Sequence, residues 1–127
     1  MAEFQIGDKV TGIYKTGKYI GEITDIRPMH YVMRVLAVAK HPMQGDLHNP
    51  KQTDVMIFHE RKALSYREQT NIPKQMVRAY EGEIPSYTDS LKDVLEHMKE
   101  DLLKTDNEWA QKSLDNIRIL ESSYFKD

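Results

Sequence analysis

The spacing of hydrophobic residues changes near the middle of this chain. Apolar residues in the first half alternate with polar ones or form short runs, and these runs are rich in β-branched and aromatic residues. They lie at 10–15, 19–26, 31–39 and 55–59. After residue 71 the apolar residues recur every three or four positions, which is the spacing of one helical face. The pattern therefore predicts β-strands followed by α-helices.

Turn and glycine signals indicate that the strands form a small antiparallel barrel over roughly residues 5–65. Residues 16–18, Thr-Gly-Lys, separate the first two runs and predict a tight hairpin with a three-residue loop. Gly12 and Gly21 lie inside these strands, where glycine is typical of the sharp bends that closed barrels need. The third run is apolar except for Arg34, which predicts a strand covered on much of both faces.

A short helix is predicted at 71–82, directly after the strands. Pro73 occupies a favourable first-turn position, and Met76 and Val77 fall on one helical face. This helix is expected to pack on the barrel.

A hairpin of two longer helices is predicted after the short one. Ser86 with Asp89 is typical of the start of the first long helix, and Thr105 with Glu108 of the start of the second. Each helix has one apolar face. The predicted face residues are Leu91, Val94, Leu95, Met98 and Leu102 in the first, and Ala110, Leu114, Ile117, Leu120 or Glu121, and Tyr124 in the second.

The whole pattern predicts an α+β fold, with a small antiparallel β-barrel in residues 1–70 and a helical region in residues 71–127 that ends in the α-helical hairpin.

Charge is weakly segregated between the two halves of the chain. Residues 1–65 carry nine Lys/Arg and seven Asp/Glu, whereas residues 66–127 carry nine Lys/Arg and thirteen Asp/Glu. The overall net charge of −2 gives no electrostatic reason to expect nucleic-acid binding.

Cysteine does not occur in the 127 residues. Disulfides, thiolate metal sites, a cysteine nucleophile and an acylated cysteine are therefore excluded within them. The first ten residues lack the basic and apolar regions of a signal peptide, and the apolar runs are too short to span a bilayer. We therefore expect a cytoplasmic protein that does not insert directly into the membrane.

The connection between the predicted barrel and the hairpin contains candidate metal ligands. His41, His48 and His59 lie there with Asp46 and Glu60, and these residue types ligate zinc and other transition metals. Their spacing matches no known zinc motif. The favoured alternative is that Asp46 and His48 hydrogen-bond the backbone of their own loop. We therefore expect no metal or other cofactor.

An acid–base enzyme is a second interpretation of this connection, residues 41–68, which we call the junction. His59 with Glu60, or Arg67 with Glu68, would suit proton transfer if a cleft buried them. The sequence contains no nucleophile elbow, phosphate-binding glycine loop or zinc-protease motif. We therefore expect a protein that is not an enzyme.

Aromatic and basic side chains give two binding hypotheses. On the barrel they would form a patch that binds single-stranded RNA by stacking and charge. The residues of this patch are Tyr14, Lys15, Lys18, Tyr19, Tyr31 and Arg34. The alternative is that these tyrosines serve core and cross-strand packing. Aromatic residues in the helical half would form a protein-binding surface, or pack the helices on the barrel. They are Tyr66, Tyr80, Tyr87, Trp109, Tyr124 and Phe125.

Four segments resemble those of a known family. They are GIYKTGKYIGEIT at 12–24, HPMQGDLHNPK at 41–51, FHERKALSYREQTNIP at 58–73 and EWAQKSL at 108–114. With them the chain resembles kinase-associated protein B of spore-forming bacteria over nearly its whole length. The combination of GDLH-x-P with FHERKAL is the most specific part of the resemblance.

The resemblance implies an SH3-like barrel followed by helices. It also implies a non-enzymatic accessory role for a membrane sensor histidine kinase in the phosphorelay that starts sporulation. That kinase is then the expected partner and the link to the inner face of the membrane. The family has been called a lipoprotein, and a chain without cysteine departs from that name. The candidate residues for structure or contact are Asp46, His48, His59, Glu60, Arg61, Lys62, Tyr66 and Arg67.

Overall fold

The computed structural model describes residues 3–45 and 58–126. This part of the chain contains five β-strands, one turn of 3₁₀ helix and two α-helices. In chain order they are β1 (Lys9–Tyr14), β2 (Gly17–Ile26), β3 (His30–Lys40), β4 (Gln69–Pro73), the 3₁₀ turn (Lys74–Met76), β5 (Val77–Ala79), α1 (Tyr87–Lys104) and α2 (Glu108–Tyr124). The predicted order, strands before helices, is confirmed.

The strands form one antiparallel sheet in the order β4–β3–β2–β1–β5. β4 and β5 are its two edges, so the sheet in the described residues is open and the predicted closed barrel is not confirmed. The pairing of β2 with β3 is interrupted at three places, and such bulges bend a strand. Gly21 lies at one of them. A Cβ there would come within 2.4 Å of the carbonyl oxygen of Arg34, so this close strand approach requires glycine.

The loop between β1 and β2 is shorter than predicted. Tyr14 pairs with Gly17, so the turn consists of Lys15 and Thr16 alone. Lys15 has a φ of 54°, the left-handed conformation that a tight two-residue turn needs. Gly17 has a different function from the predicted one. It makes room for Tyr19, whose hydroxyl oxygen would lie 2.6 Å from a Cβ at position 17.

The helix predicted at 71–82 is wrong. This stretch instead belongs to β4, the 3₁₀ turn and β5, which pair with β3 and β1. The local spacing of Met76 and Val77 fits a helix, but pairing with two neighbouring strands overrides it. Pro73 fits an edge strand, where its missing N–H costs little. The predicted boundary between residues 70 and 71 falls inside β4, and the sheet continues to Ala79.

The two long helices are present as predicted, but the start of α2 differs. Ser86 caps α1, and its Oγ accepts a main-chain N–H of the first turn at 3.2 Å. Asn107, and not Thr105, caps α2, because its Oδ1 accepts the N–H of Ala110 at 2.7 Å. Thr105 ends α1 instead, and its hydroxyl donates to the carbonyl oxygen of Asp101 at 3.0 Å.

One hydrophobic core joins the sheet and both helices. The predicted apolar faces of α1 and α2 point into this core, and Trp109 is buried in it. α1 packs against β3. At this contact the Oγ of Ser90 accepts the N–H of Val38 at 2.9 Å and donates to the carbonyl oxygen of Tyr87 at 2.8 Å. The first of these bonds satisfies the buried N–H of Val38, which lies beyond the part of β3 that pairs with β4 in the described residues.

We predict that Ser113→Ala stabilises the protein. The Ser113 side chain is fully buried on α2, and its Oγ has no hydrogen-bond partner among the described residues. Alanine removes the unpaired hydroxyl and favours the helix, so the free energy of unfolding should rise by about 1 kcal/mol. Urea unfolding followed by Trp109 fluorescence measures it. Ser90→Ala removes a bonded hydroxyl and should destabilise, and a lower midpoint for Ser113→Ala would contradict the prediction.

Candidate functional site

The junction is described at its two ends, residues 41–45 and 58–68. Neither end is a helix or strand, so Phe58 and His59 do not form the end of the strand predicted at 55–59, whose other residues lie outside the described part. Ala63 is nevertheless only 6% exposed. A buried segment without regular structure needs side-chain partners for its backbone N–H and C=O groups.

Three tyrosines from three elements supply these partners, and we call them the tyrosine cluster: Tyr19 of β2, Tyr87 of α1 and Tyr124 of α2. The Tyr19 hydroxyl accepts the N–H of Leu64 at 3.2 Å, and the Tyr87 hydroxyl donates to the C=O of the same residue. The Tyr124 hydroxyl accepts the N–H of Ala63 at 2.8 Å. The sheet and both helices thus bond two adjacent residues of the junction.

His41 completes the hydrogen bonds of Tyr124. It is 2% exposed, with Nδ1 3.0 Å from the carbonyl oxygen of Pro42 and Nε2 3.0 Å from the Tyr124 hydroxyl. A carbonyl oxygen only accepts, so we assign the proton to Nδ1, and Nε2 then accepts from the hydroxyl. Burial lowers the pKa of His41 to about 4, which keeps the ring neutral.

Gln44 bonds the two ends of the junction to each other. Its buried side chain accepts the N–H of Arg61 at 2.8 Å and donates to the C=O of Arg61 at 2.9 Å. Arg61 donates its Nε–H to the C=O of Gly45 at 3.0 Å, and the N–H of Gly45 donates to the C=O of His59 at 2.9 Å. The indole N–H of Trp109 donates to the C=O of Gln44 at 3.4 Å. The network holds both ends against α2.

Burial also changes the acidity of the tyrosine cluster. It raises the pKa of Tyr19 to about 12, and it raises the pKa values of Tyr87 and Tyr124. All three hydroxyls therefore keep their protons at neutral pH. A protonated hydroxyl both donates and accepts, so the cluster consists of hydrogen-bonding groups and not of bases.

Three of the predicted site residues lie together. Glu60, Arg61 and Lys62 line a cavity of about 420 Å³ whose opposite side is the β1–β2 hairpin, including Lys15. Glu68 also lines it, so charges of both signs surround the cavity. This charged part of the junction thus faces the β1–β2 hairpin across the cavity.

Two other predicted residues, Tyr66 and Arg67, lie beside α1 and β3. The Tyr66 ring centroid is 5.9 Å from that of Tyr87, and the side chain is 56% exposed. Arg67 has a φ of 69°, and its N–H donates to the C=O of Val35 at 2.7 Å. This bond extends the pairing of β3 beyond β4, so the main chain of Arg67 has a structural function.

The metal hypothesis loses one of its three histidines. His41 is buried and both of its ring nitrogens are hydrogen-bonded, so it is not available to a metal. His59 is exposed, and Asp46 and His48 lie outside the described residues. Within the residues that the structure describes, no three His, Asp or Glu side chains are close enough to hold a metal ion.

The single-strand-binding patch predicted on the sheet loses two of its three tyrosines. Tyr19 is 1% exposed and Tyr31 is 3% exposed, so neither ring can stack on a base. Tyr31 packs edge-on against Phe4, and its hydroxyl accepts the N–H of Phe4 at 3.1 Å. The alternative, core packing of these two tyrosines, is right.

Only some of the hydrogen bonds of the junction can be predicted from the sequence. Tyr19 lies in an otherwise apolar strand, and a buried tyrosine hydroxyl needs a partner, which is a usable signal. Gln44 lies in a loop sequence of turn formers and has no such signal. Its partner lies 17 positions further along the chain, and only the fold brings the two together.

We predict that Tyr124→Phe destabilises the protein by about 1–3 kcal/mol, because it leaves the N–H of Ala63 and Nε2 of His41 without a partner in the core. Chemical denaturation measures the change. Tyr66→Phe is the matched control, since its exposed hydroxyl makes no hydrogen bond in the described residues, and it should change stability by less than about 0.5 kcal/mol. Equal effects of the two substitutions would contradict the prediction.

We predict that His41 makes the protein sensitive to mild acid. Its pKa is about 4 in the folded state against 6.5 as the ordinary value, so between these values the unfolded state binds a proton that the folded state does not. The contribution of neutral His41 to stability is therefore fully present above pH 6.5, and the free energy of unfolding falls by roughly 3 kcal/mol as the pH approaches 4. Unfolding midpoints across this range should fall less steeply in His41→Gln. The exposed-site control His97→Gln should keep the steep fall, and identical slopes for all three proteins would refute the assignment.

Comparison with known proteins identifies the family. The family model described as Kinase associated protein B matches residues 14–125. Kinase-associated lipoprotein B of Bacillus subtilis (strain 168) is 57% identical over 125 residues, which are 98% of each chain. The crystal structure of kinase-associated protein B from Bacillus cereus is 53% identical and has a TM-score of 0.85 over 96% of this chain and 98% of that chain. The resemblance found in the sequence is confirmed, and the chain belongs to the kinase-associated protein B family.

Proposed function

We propose that this chain is a non-enzymatic accessory protein that binds a sensor histidine kinase and acts in the phosphorelay that initiates sporulation. The observation that carries the proposal is the family match over residues 14–125, because the name of the family describes association with a kinase. The kinase class and the phosphorelay come from the resemblance of the sequence segments to that family.

Binding alone is sufficient for such a function. A protein changes the activity of a kinase when it binds one kinase conformation more tightly than another. The hydrogen bonds of the junction support binding over catalysis. His41, Gln44 and the tyrosine cluster direct their polar groups at one another and at the main chain, so these groups are occupied in holding the fold.

We place the chain on the cytoplasmic side of the membrane, where its kinase partner would hold it. The Bacillus subtilis relative is named a lipoprotein, whereas none of the 127 residues of this chain is a cysteine. Neither helix in the described residues combines the length and hydrophobicity that a membrane span requires.

We also propose that the sheet is an open form of an SH3-like barrel. Three features support this. The strand order is β4–β3–β2–β1–β5, β2 pairs with both β1 and β3, and a 3₁₀ turn connects β4 to β5. The bulges in the pairing of β2 with β3 give the curvature that a small barrel needs.

The proposal predicts that the purified chain binds the cytoplasmic part of its kinase and changes the rate of kinase autophosphorylation, while the chain alone hydrolyses no ATP. In cells, deletion of the chain should reduce phosphate flow from that kinase into the relay. Flow from a second sensor kinase in the same cells is the control and should be unchanged. Normal signalling through the first kinase in the deletion strain would reject the proposal.

A further inference from the structure

A cleft of about 560 Å³ separates the end of β3 from the exposed side of α1. Ala39, Lys40 and Met43 line one side of the cleft, and α1 lines the other side. A second cavity of about 460 Å³ shares Ala39, Asp93 and Val94 with it and reaches Asp89 near the start of α1. The two cavities therefore form one continuous groove along the helix.

Two rows of side chains, each with a spacing of four residues, run along the α1 side of the groove. Val94, Met98 and Leu102 form an apolar floor, on which Val94 and Met98 are half-buried. The rim row consists of Asp89, Asp93, His97, Asp101 and Thr105. Residues four apart share one helical face. From the first to the last, the rim is roughly 24 Å long at 1.5 Å per residue.

The α1 rim is acidic. The carboxylates of Asp89 and Asp101 make no hydrogen bond or ion pair within the described residues, and Asp93 lies 3.9 Å from Nδ1 of His97 in a contact exposed to solvent. The negative surroundings raise the pKa of His97, first through its hydrogen bond to the Asp93 carbonyl oxygen and then through the nearby carboxylates. The opposite rim carries a cation, Lys40.

We infer that this groove binds an amphipathic helix of a partner protein, with apolar side chains on the floor and Lys or Arg side chains against the acidic α1 rim. A helix presents apolar residues at i, i+3, i+4 and i+7, which suits an elongated groove with an apolar floor. Met43 and Met98 line the groove, and the flexible methionine side chain adapts to different apolar partners. The side of the bound helix that faces Lys40 carries no basic residue.

The negative charge of the α1 rim disfavours ligands other than a basic amphipathic helix. Nucleic acid and anionic lipid would place phosphates beside Asp89, Asp93 and Asp101, where like charges repel. A wholly apolar helix would leave the carboxylates without counter-ions. On the proposed function, and resting on it, the bound helix belongs to the cytoplasmic part of the sensor kinase.

Charge reversal tests the groove. We expect Asp93→Lys combined with Asp101→Lys to weaken binding of the kinase roughly tenfold or more at low salt, and the loss should shrink as salt screens the charges. Glu81→Lys combined with Asp115→Lys is the control, because it changes the net charge equally at exposed positions outside the groove. This control should stay within about twofold of the unaltered chain.

Steric blockage gives a second, independent test. Ala39→Trp places an indole in the groove, and we expect it to abolish binding. Ala79→Trp adds the same side chain at an exposed position of the edge strand β5 and should bind normally. Thermal unfolding of all variants confirms that each is folded before binding is measured.

The outcomes separate the groove from the proposed function. If the unaltered chain binds the kinase and both groove variants bind equally well, the groove assignment is overturned and the function stands. If the unaltered chain does not bind the kinase, the proposed function is rejected. The groove is then tested separately, by titrating the chain with a synthetic Leu/Lys amphipathic helix and following the fluorescence of Trp109. Binding that the Asp93→Lys and Asp101→Lys pair removes supports the groove, and no binding rejects it.

Discussion

Backbone groups that cannot reach water set the strongest constraint on this protein. The junction passes between the sheet and the helices at Ala63 and Leu64 without forming a helix or strand of its own. The tyrosine cluster satisfies these residues from three sides. Tyrosine suits this task because its apolar ring fills the core while its hydroxyl both donates and accepts. Each missing bond costs about 1–3 kcal/mol, so moving either helix away from the junction would leave buried groups unpaired and would destabilise the fold.

The position of α1 follows from two hydrogen bonds whose side chains lie three residues apart on the helix. Tyr87 bonds the junction at Leu64, and Ser90 bonds β3 at Val38. Both contacts lie in the first turn of α1, so they fix where the helix begins against the junction and β3.

Periodicity and caps predict the parts of the fold that depend on nearby residues. α1 begins at the predicted cap, Ser86, and the apolar faces of both helices are buried as their spacing indicates. β4 and β5 are not predicted, because their structure depends on pairing with β3 and β1, which lie far away in the chain. The same applies to the site. Arg61 and Tyr124 are recognisable as candidates, but their bonds to Gln44 and His41 span 17 and 83 residues.

The tyrosine cluster has a consequence for how the protein opens. The N–H of Ala63 bonds to Tyr124 of α2, the N–H of Leu64 to Tyr19 of β2, and the C=O of Leu64 to Tyr87 of α1. These two adjacent residues are therefore tied to the sheet and to both helices at once, and neither can move far without disturbing the bonds of the other. Local fraying of the junction is therefore suppressed, and sheet and helices open as one cooperative unit. In hydrogen exchange, two amides of an irregular segment should consequently be protected as strongly as the central strand β3.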